Sequence, residues 1–169
     1  MADVAAASGI TKLIVYRHFD SKQALYDAVL EGVAERTRDR FLEGIGSNPS
    51  QPGSGAVHAL LAVAREDEAA FILLWRHAAR EPQFAEHAQS IRLRGVRVAE
   101  KLLEPLDLRP PSIRRWAAST IVSYLIGGVL NWLDSGDPGR DDEMADLLAR
   151  SLPAVVAAWA VTDDRVPGR

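Results

Sequence analysis

Apolar side chains return along this chain at helical intervals. From Ser21 onward Leu25, Val29, Val33, Phe41 and Ile45 stand four residues or a multiple of four apart, which keeps them on one helical face. Phe84, Ala88, Ile91, Gly95, Val98 and Leu102 advance by alternating fours and threes and form a second stripe. No stretch alternates in twos with β-branched enrichment, so strands are not expected. Turn formers punctuate the stripes: Ser8-Gly9 closes a first short helix, Asp20-Ser21 caps a long one, and GSNPSQPGSG from Gly46 to Gly55 reads as a loop. Further breaks fall at Glu81-Pro82, at LRPPS from Leu108 to Ser112 and at SGDPG from Ser135 to Gly139. The pattern predicts an all-α protein of about eight helices.

The last two helices, roughly Ser112 to Asp134 and Asp141 to Val161, are apolar on more than one side. Trp116, Ile121, Tyr124, Leu125, Val129, Leu130, Trp132 and Leu133 spread around the first. Met144, Leu147, Leu148, Leu152, Val155, Val156 and Trp159 do the same on the second. Such helices near the end of a small chain need cover, and a second subunit supplies it, so a homodimer is expected. Pro153 removes one backbone bond and should kink the last helix or restart it.

Composition narrows the classes without naming one. The 169 residues are 47% hydrophobic and 25% charged, an ordinary globular balance that should fold. With no cysteine there is neither a disulfide framework nor a thiolate zinc site. No apolar run is expected to reach the roughly 18 residues of a membrane span, and Met1 to Ile10 lacks a signal-peptide pattern, so the expected setting is cytoplasmic with no membrane partner. The formal charge of −3 argues against a protein that coats nucleic acid nonspecifically, but leaves room for a local cationic footprint. His18, His58, His77 and His87 lack ligand spacing, so no metal or cofactor is assigned. There is no phosphate loop, no Gly-x-Ser-x-Gly elbow and no His-Glu-x-x-His, so an enzyme is not expected.

One segment carries sharper chemistry. In SGITKLIVYRHFDSKQAL, Ser8 to Leu25, Gly9 supplies a turn and Thr11 can cap the short helix that follows. This is the layout of a helix-turn-helix, whose second helix enters the major groove of DNA. Val15 and Phe19 would anchor that helix, while Lys12, Tyr16, Arg17 and His18 would face the nucleic acid. Asp20-Ser21-Lys22 opens the next helix, whose positive N-terminal end with Lys22 suits a phosphate.

MADVAAASGITKLIVYRHFDSKQALYDAVLEGV resembles the DNA-binding region of TetR-type (TetR/AcrR-like) transcriptional regulators, through the glycine turn, the YRHF ending and the SK start at this spacing. The resemblance implies that Thr11 and Lys12 contact bases or nearby phosphates, that Tyr16, His18 and Lys22 hold phosphate oxygens, and that Phe19 is core. Arg17 occupies a variable family position. Leu13, Ile14 and Val15 stand where the family has a small residue and a threonine, and the family's first helix is expected to be lacking from the segment as written. The division implied is a helix-turn-helix DNA-binding domain over 1–45, N-terminally truncated, and a helical effector-binding and dimerisation domain over 46–169. The chain as written is expected to bind DNA weakly unless a basic helix is added upstream.

The function implied is that of a ligand-responsive repressor, a homodimer on palindromic double-stranded operator DNA that releases it when a small apolar or aromatic effector binds. The alternative is a dimeric helical small-molecule-binding protein that has lost operator binding. The family leads one to expect an effector pocket among the helices of the larger domain. FILLWRHAAREP and IVSYLIGGVLNWL offer Phe71, Trp75, Ile91 and Tyr124 as its walls, with His77 and Asn131 as polar handles.

Overall fold

The computed structural model describes residues 17–47, 53–106 and 108–160, and among them there are six α-helices and no strand. They are α1 (Lys22–Ile45), α2 (Ser54–Glu66), α3 (Glu68–Ile72), α4 (Ala85–Leu102), α5 (Pro111–Ser135) and α6 (Asp141–Ala160). A π turn (Leu73–His77) and a 3-10 turn (Ala78–Arg80) carry the chain from α3 towards α4. Arg17 and His18 end a helical stretch just before α1. The earlier elements read from the sequence lie outside the described residues.

Local chemistry sets the helix ends. Ser21 Oγ accepts the Ala24 N–H at 3.0 Å and starts α1, and Asp67 Oδ1 accepts the Ala70 N–H at 3.1 Å and starts α3. Gly53 precedes α2 with φ 86°, a left-handed conformation that glycine adopts without strain. Pro111 stands in the first turn of α5, where its missing N–H costs nothing. Pro153 lies inside α6, which runs through it as one element with Pro153 exposed.

α2 is the centre of the body, packed on α1, α3, α5 and α6. It buries Val57, Leu60, Leu61 and Ala64 against Leu30 and Val33 of α1, Phe71 and Leu74, Val129 of α5 and Ala145 of α6. Each large side chain removed from water there contributes about 1.5–3 kcal/mol. The stripe that α1 buries is rotated from the one read in the sequence: Leu30, Val33, Thr37 and Gly44 face inward, while Val29 is exposed. α1 must face both α2 and α4, and that two-sided demand sets its rotation. A smaller cluster forms where Val96, Ala99 and Leu103 meet Leu108, Ala117 and Ala118, with Val156 and Trp159 of α6 packed against it.

A polar bond set closes the far side of α2. Arg65 donates from Nε and Nη2 to the two carboxylate oxygens of Asp141, each at 2.9 Å, and Trp132 Nε1 donates to the same carboxylate at 2.6 Å. The side chains of α2, α5 and α6 thus share one acceptor. The Arg65 hydrogen bonds, aided by the Trp132 bond and the guanidinium charge, hold the Asp141 carboxyl below its ordinary value against the opposing effect of burial.

α5 corrects one expectation. It is long and apolar enough to cross a membrane by length and composition, with a mean hydropathy of 1.3 over its most apolar window. Ser119, Thr120 and Ser123 interrupt the apolar run but lower its average little, and no charge lies between Arg115 and Asp134. In this fold α5 packs on α2, α4 and α6, with Ala117, Ala118, Leu125, Ile126, Val129 and Leu130 buried.

Candidate functional site

Two places merit description, and α1 joins them. At its N-terminal end Arg17, His18 and Lys22 are all exposed, with Phe19 half-buried between them. They sit at the positive end of a helix of 24 residues, where anions are favoured. Thr11, Lys12, Tyr16 and Val15, the remaining residues of the expected DNA-facing helix, lie outside the described residues.

The first two turns of α1 are tied to the turn that precedes α4. Gln23 Nε2 donates to the Gln83 carbonyl at 3.0 Å, and the rings of Tyr26 and Phe84 stack with centroids 3.5 Å apart. Burial first, and the Glu81 carboxylate second, push the Tyr26 phenol above its ordinary value. Farther along, Arg94 Nη2 of α4 donates to both carboxylate oxygens of Glu31 at 2.6 and 2.7 Å, and His87 Nε2 stands 3.5 Å from the same carboxylate.

Beyond that clasp α1 and α4 part, and a cavity of about 160 Å³ opens between them and α5. Ala34, Thr37 and Phe41 line it from α1, Ile91, Gly95 and Val98 from α4, and Ile121, Val122, Leu125 and Ile126 from α5, with Leu60 and Trp75 completing the wall. Four charged residues border it, Glu31, Glu35, Arg38 and Arg94. Arg94 is held by Glu31, and Arg38 by Asp39 at 2.8 Å. Apart from these four and from Thr37 and Trp75, the lining side chains carry no polar group. Thr37 Oγ1 and Trp75 Nε1 are buried with no hydrogen-bond partner among the described residues.

Of the six expected pocket residues, the cavity gathers Trp75 and Ile91. Phe71 lies behind the wall in the main core, its ring 6.3 Å from that of Trp75. His77 and Asn131 are exposed and do not line the cavity. Tyr124 is 41% exposed, turned towards α6, with its hydroxyl 2.7 Å from Ser151 Oγ. Sequence reasoning missed Thr37 and the α5 wall. One signal was present: Thr37 stands four residues from both Val33 and Phe41, a hydroxyl inside an otherwise apolar stripe. Gly95 and Val98 belong to the portion of the α4 stripe that faces the cavity.

His58 Nε2 lies 3.6 Å from Asp146 and 3.8 Å from Asp142, a loose solvent-facing set. Among the described residues no group of three or more histidine, aspartate or glutamate side chains is arranged to hold a metal ion.

Residues 1–29 match the family model described as bacterial regulatory proteins, tetR family. No curated protein matches the chain.

Proposed function

We propose that this protein is a DNA-binding regulator of transcription of the TetR type, a ligand-responsive repressor that acts as a cytoplasmic homodimer; the match of residues 1–29 to the family model of bacterial regulatory proteins, tetR family, supports the class. The observation that carries the reading is the position of the cavity on α1, the helix that follows directly from the DNA-binding segment. A small apolar or aromatic effector that enters between α1 and α4, touching Trp75 and Ile91, presses on a rod of 24 residues, about 36 Å long at 1.5 Å per residue. Pressure at Ala34 to Phe41 turns the end that carries Arg17, His18 and Lys22. In a dimer this alters the spacing of two recognition helices that must match half-sites about 34–36 Å apart. Thr11, Lys12, Tyr16, Arg17, His18 and Lys22 are the proposed DNA contacts. The division into a DNA-binding domain over 1–45 and an effector and dimerisation domain over 46–169 belongs to the same proposal, with α1 shared between them.

The dimer face is the outer surface of α5 and α6, where Ile113, Trp116, Tyr124 and Leu147 are each more than two-fifths exposed. Large apolar side chains grouped on two neighbouring helices are the mark of an interface. The test begins with selection of binding sites from a random duplex pool at physiological salt. Palindromic sites should be enriched, light scattering should give twice the chain mass, and Leu147→Arg should yield monomers that no longer retain the selected DNA. Absence of palindromic enrichment together with a monomeric mass overturns the reading.

A further inference from the structure

The cavity between α1 and α4 has a shape as well as an apolar wall. The two helices lie side by side and advance in the same direction: Gln23 and Tyr26 meet Gln83 and Phe84, and farther along Glu31 meets Arg94. The walls follow both. They run from Glu31 to Phe41 on α1 and from Ile91 to Leu102 on α4, about 15 Å of each helix at roughly 1.5 Å per residue. An apolar cavity of roughly 150 Å³ accommodates benzene and, if round, is about 7 Å across. Here about 160 Å³ is drawn out over twice that length. The section left is narrower than a ring and close to the width of one carbon chain, whose neighbours approach to about 3.5–4.0 Å.

The two ends differ in chemistry. At one, the Glu31 carboxylate and the Arg94 guanidinium bridge the helices, and both border the cavity. Past Arg94 the α4 wall is Gly95, Val98, Ala99, Leu102 and Leu103, with no polar side chain, and a Cβ placed on Gly95 would meet nothing within 4 Å. Glu35 and Arg38 of α1 are exposed, so their charges stay in water at the rim. A polar group buried beyond the clasp would find no partner on α4, whereas hydrocarbon gains there with each methylene taken out of water. Resting on the effector reading of this cavity, we infer that the effector presents an unbranched aliphatic chain that lies along the seam of α1 and α4, with its polar end at the Glu31–Arg94 clasp and its tail towards Phe41 and Leu102.

The full chain is titrated, followed by NMR, with n-alkanols from butanol to decanol and with cyclohexylmethanol, a ring of the same carbon count as heptanol. Affinity should rise about fourfold for each added methylene and level off once the chain outgrows the seam. Heptanol should bind about tenfold more tightly than cyclohexylmethanol. Gly95→Leu, beside the clasp, should weaken short and long alkanols alike. Val98→Phe, farther along, should leave butanol within about twofold and weaken decanol by about tenfold, the effect of losing nearly two buried methylenes. A photoreactive diazirine at the far end of an alkanol chain gives a readout that needs no substitution, and it should label Phe41 and the stretch from Val98 to Leu102 rather than Ile91. Cyclohexylmethanol binding as tightly as heptanol, equal weakening of butanol and decanol by Val98→Phe, or labelling confined to Ile91 would overturn the chain-shaped ligand and leave the effector site in place. Saturable binding of none of the alcohols, or binding that Gly95→Leu leaves unchanged, would instead take the effector out of this cavity, and the effector reading would fall with it.

Discussion

α1 meets its two main neighbours in opposite ways. Against α2 it is closed: Leu30 and Val33 are buried with Val57 and Leu60, and a Cβ placed on Gly44 would strike the Gly55 carbonyl and come within 2.7 Å of the Ala56 nitrogen. Against α4 it is clasped at Glu31 and Arg94 and then stands off, so that a Cβ placed on Gly95 would meet nothing within 4 Å. Both seams are built from the same small set of apolar residues. The closed one brings the two backbones together at Gly44 and Gly55 and leaves no room for a side chain there. The open one keeps a space of about 160 Å³, which a stability-driven design would have filled. The difference separates a seam closed by backbone contact from one that leaves room between its helices.

The same substitution should therefore have opposite signs on the two seams. Gly44→Ala forces backbone against backbone where α1 meets the start of α2, and it should cost about 3 kcal/mol, the upper end of what overpacking commonly does. Urea unfolding measures it, and a loss below about 1 kcal/mol would mean that the closed seam yields easily.

An intermediate effect is expected at the bond set where α2 meets α5 and α6. Asp141→Asn should lower stability at neutral pH by about 1 kcal/mol, a modest figure because the carboxylate is partly solvated. The Asp141 carboxyl is held below its ordinary value, so its contribution is fully present above the usual carboxylate pKa of about 3.9 and is lost as the pH falls through the folded-state value. The difference between the native and Asn proteins should thus shrink towards zero in acid. A difference that grows on acidification would contradict the assignment, and so would any change in probe binding, since Asp141 does not line the cavity.

The smallest effect is the most pointed. Gly95→Ala places a methyl group in the open seam and removes the conformational freedom of an interior helical glycine, so it should stabilise the protein by about 0.5–1 kcal/mol. It should also weaken binding of any small aromatic probe that enters the cavity, because the new Cβ occupies part of the space. Destabilisation by Gly95→Ala would show that this seam too is filled, and the contrast with Gly44 would fail.

What could be read without coordinates was whatever neighbouring residues decide among themselves. The Ser21 cap, the breaks at Glu81-Pro82, at LRPPS and at SGDPG, the all-helical class and the surplus apolar surface of α5 and α6 follow from spacing, capping and turn chemistry, each confined to a few consecutive residues. The spacing that resembles TetR-type regulators is local in the same sense. The side from which each helix is covered is not local. Val29 belongs to the periodic stripe yet is exposed, and Thr37 interrupts it yet is buried, because α1 turns to satisfy α2 and α4 together. Asn131 and Tyr124 sit in an apolar sequence and face outward, while Leu125 and Ile126 beside Tyr124 face in, a choice made by where α4 and α6 pack on α5. Periodicity can announce that a face will be buried, but a cavity is the space that several faces fail to fill, and that space exists only once the helices have taken their places against one another.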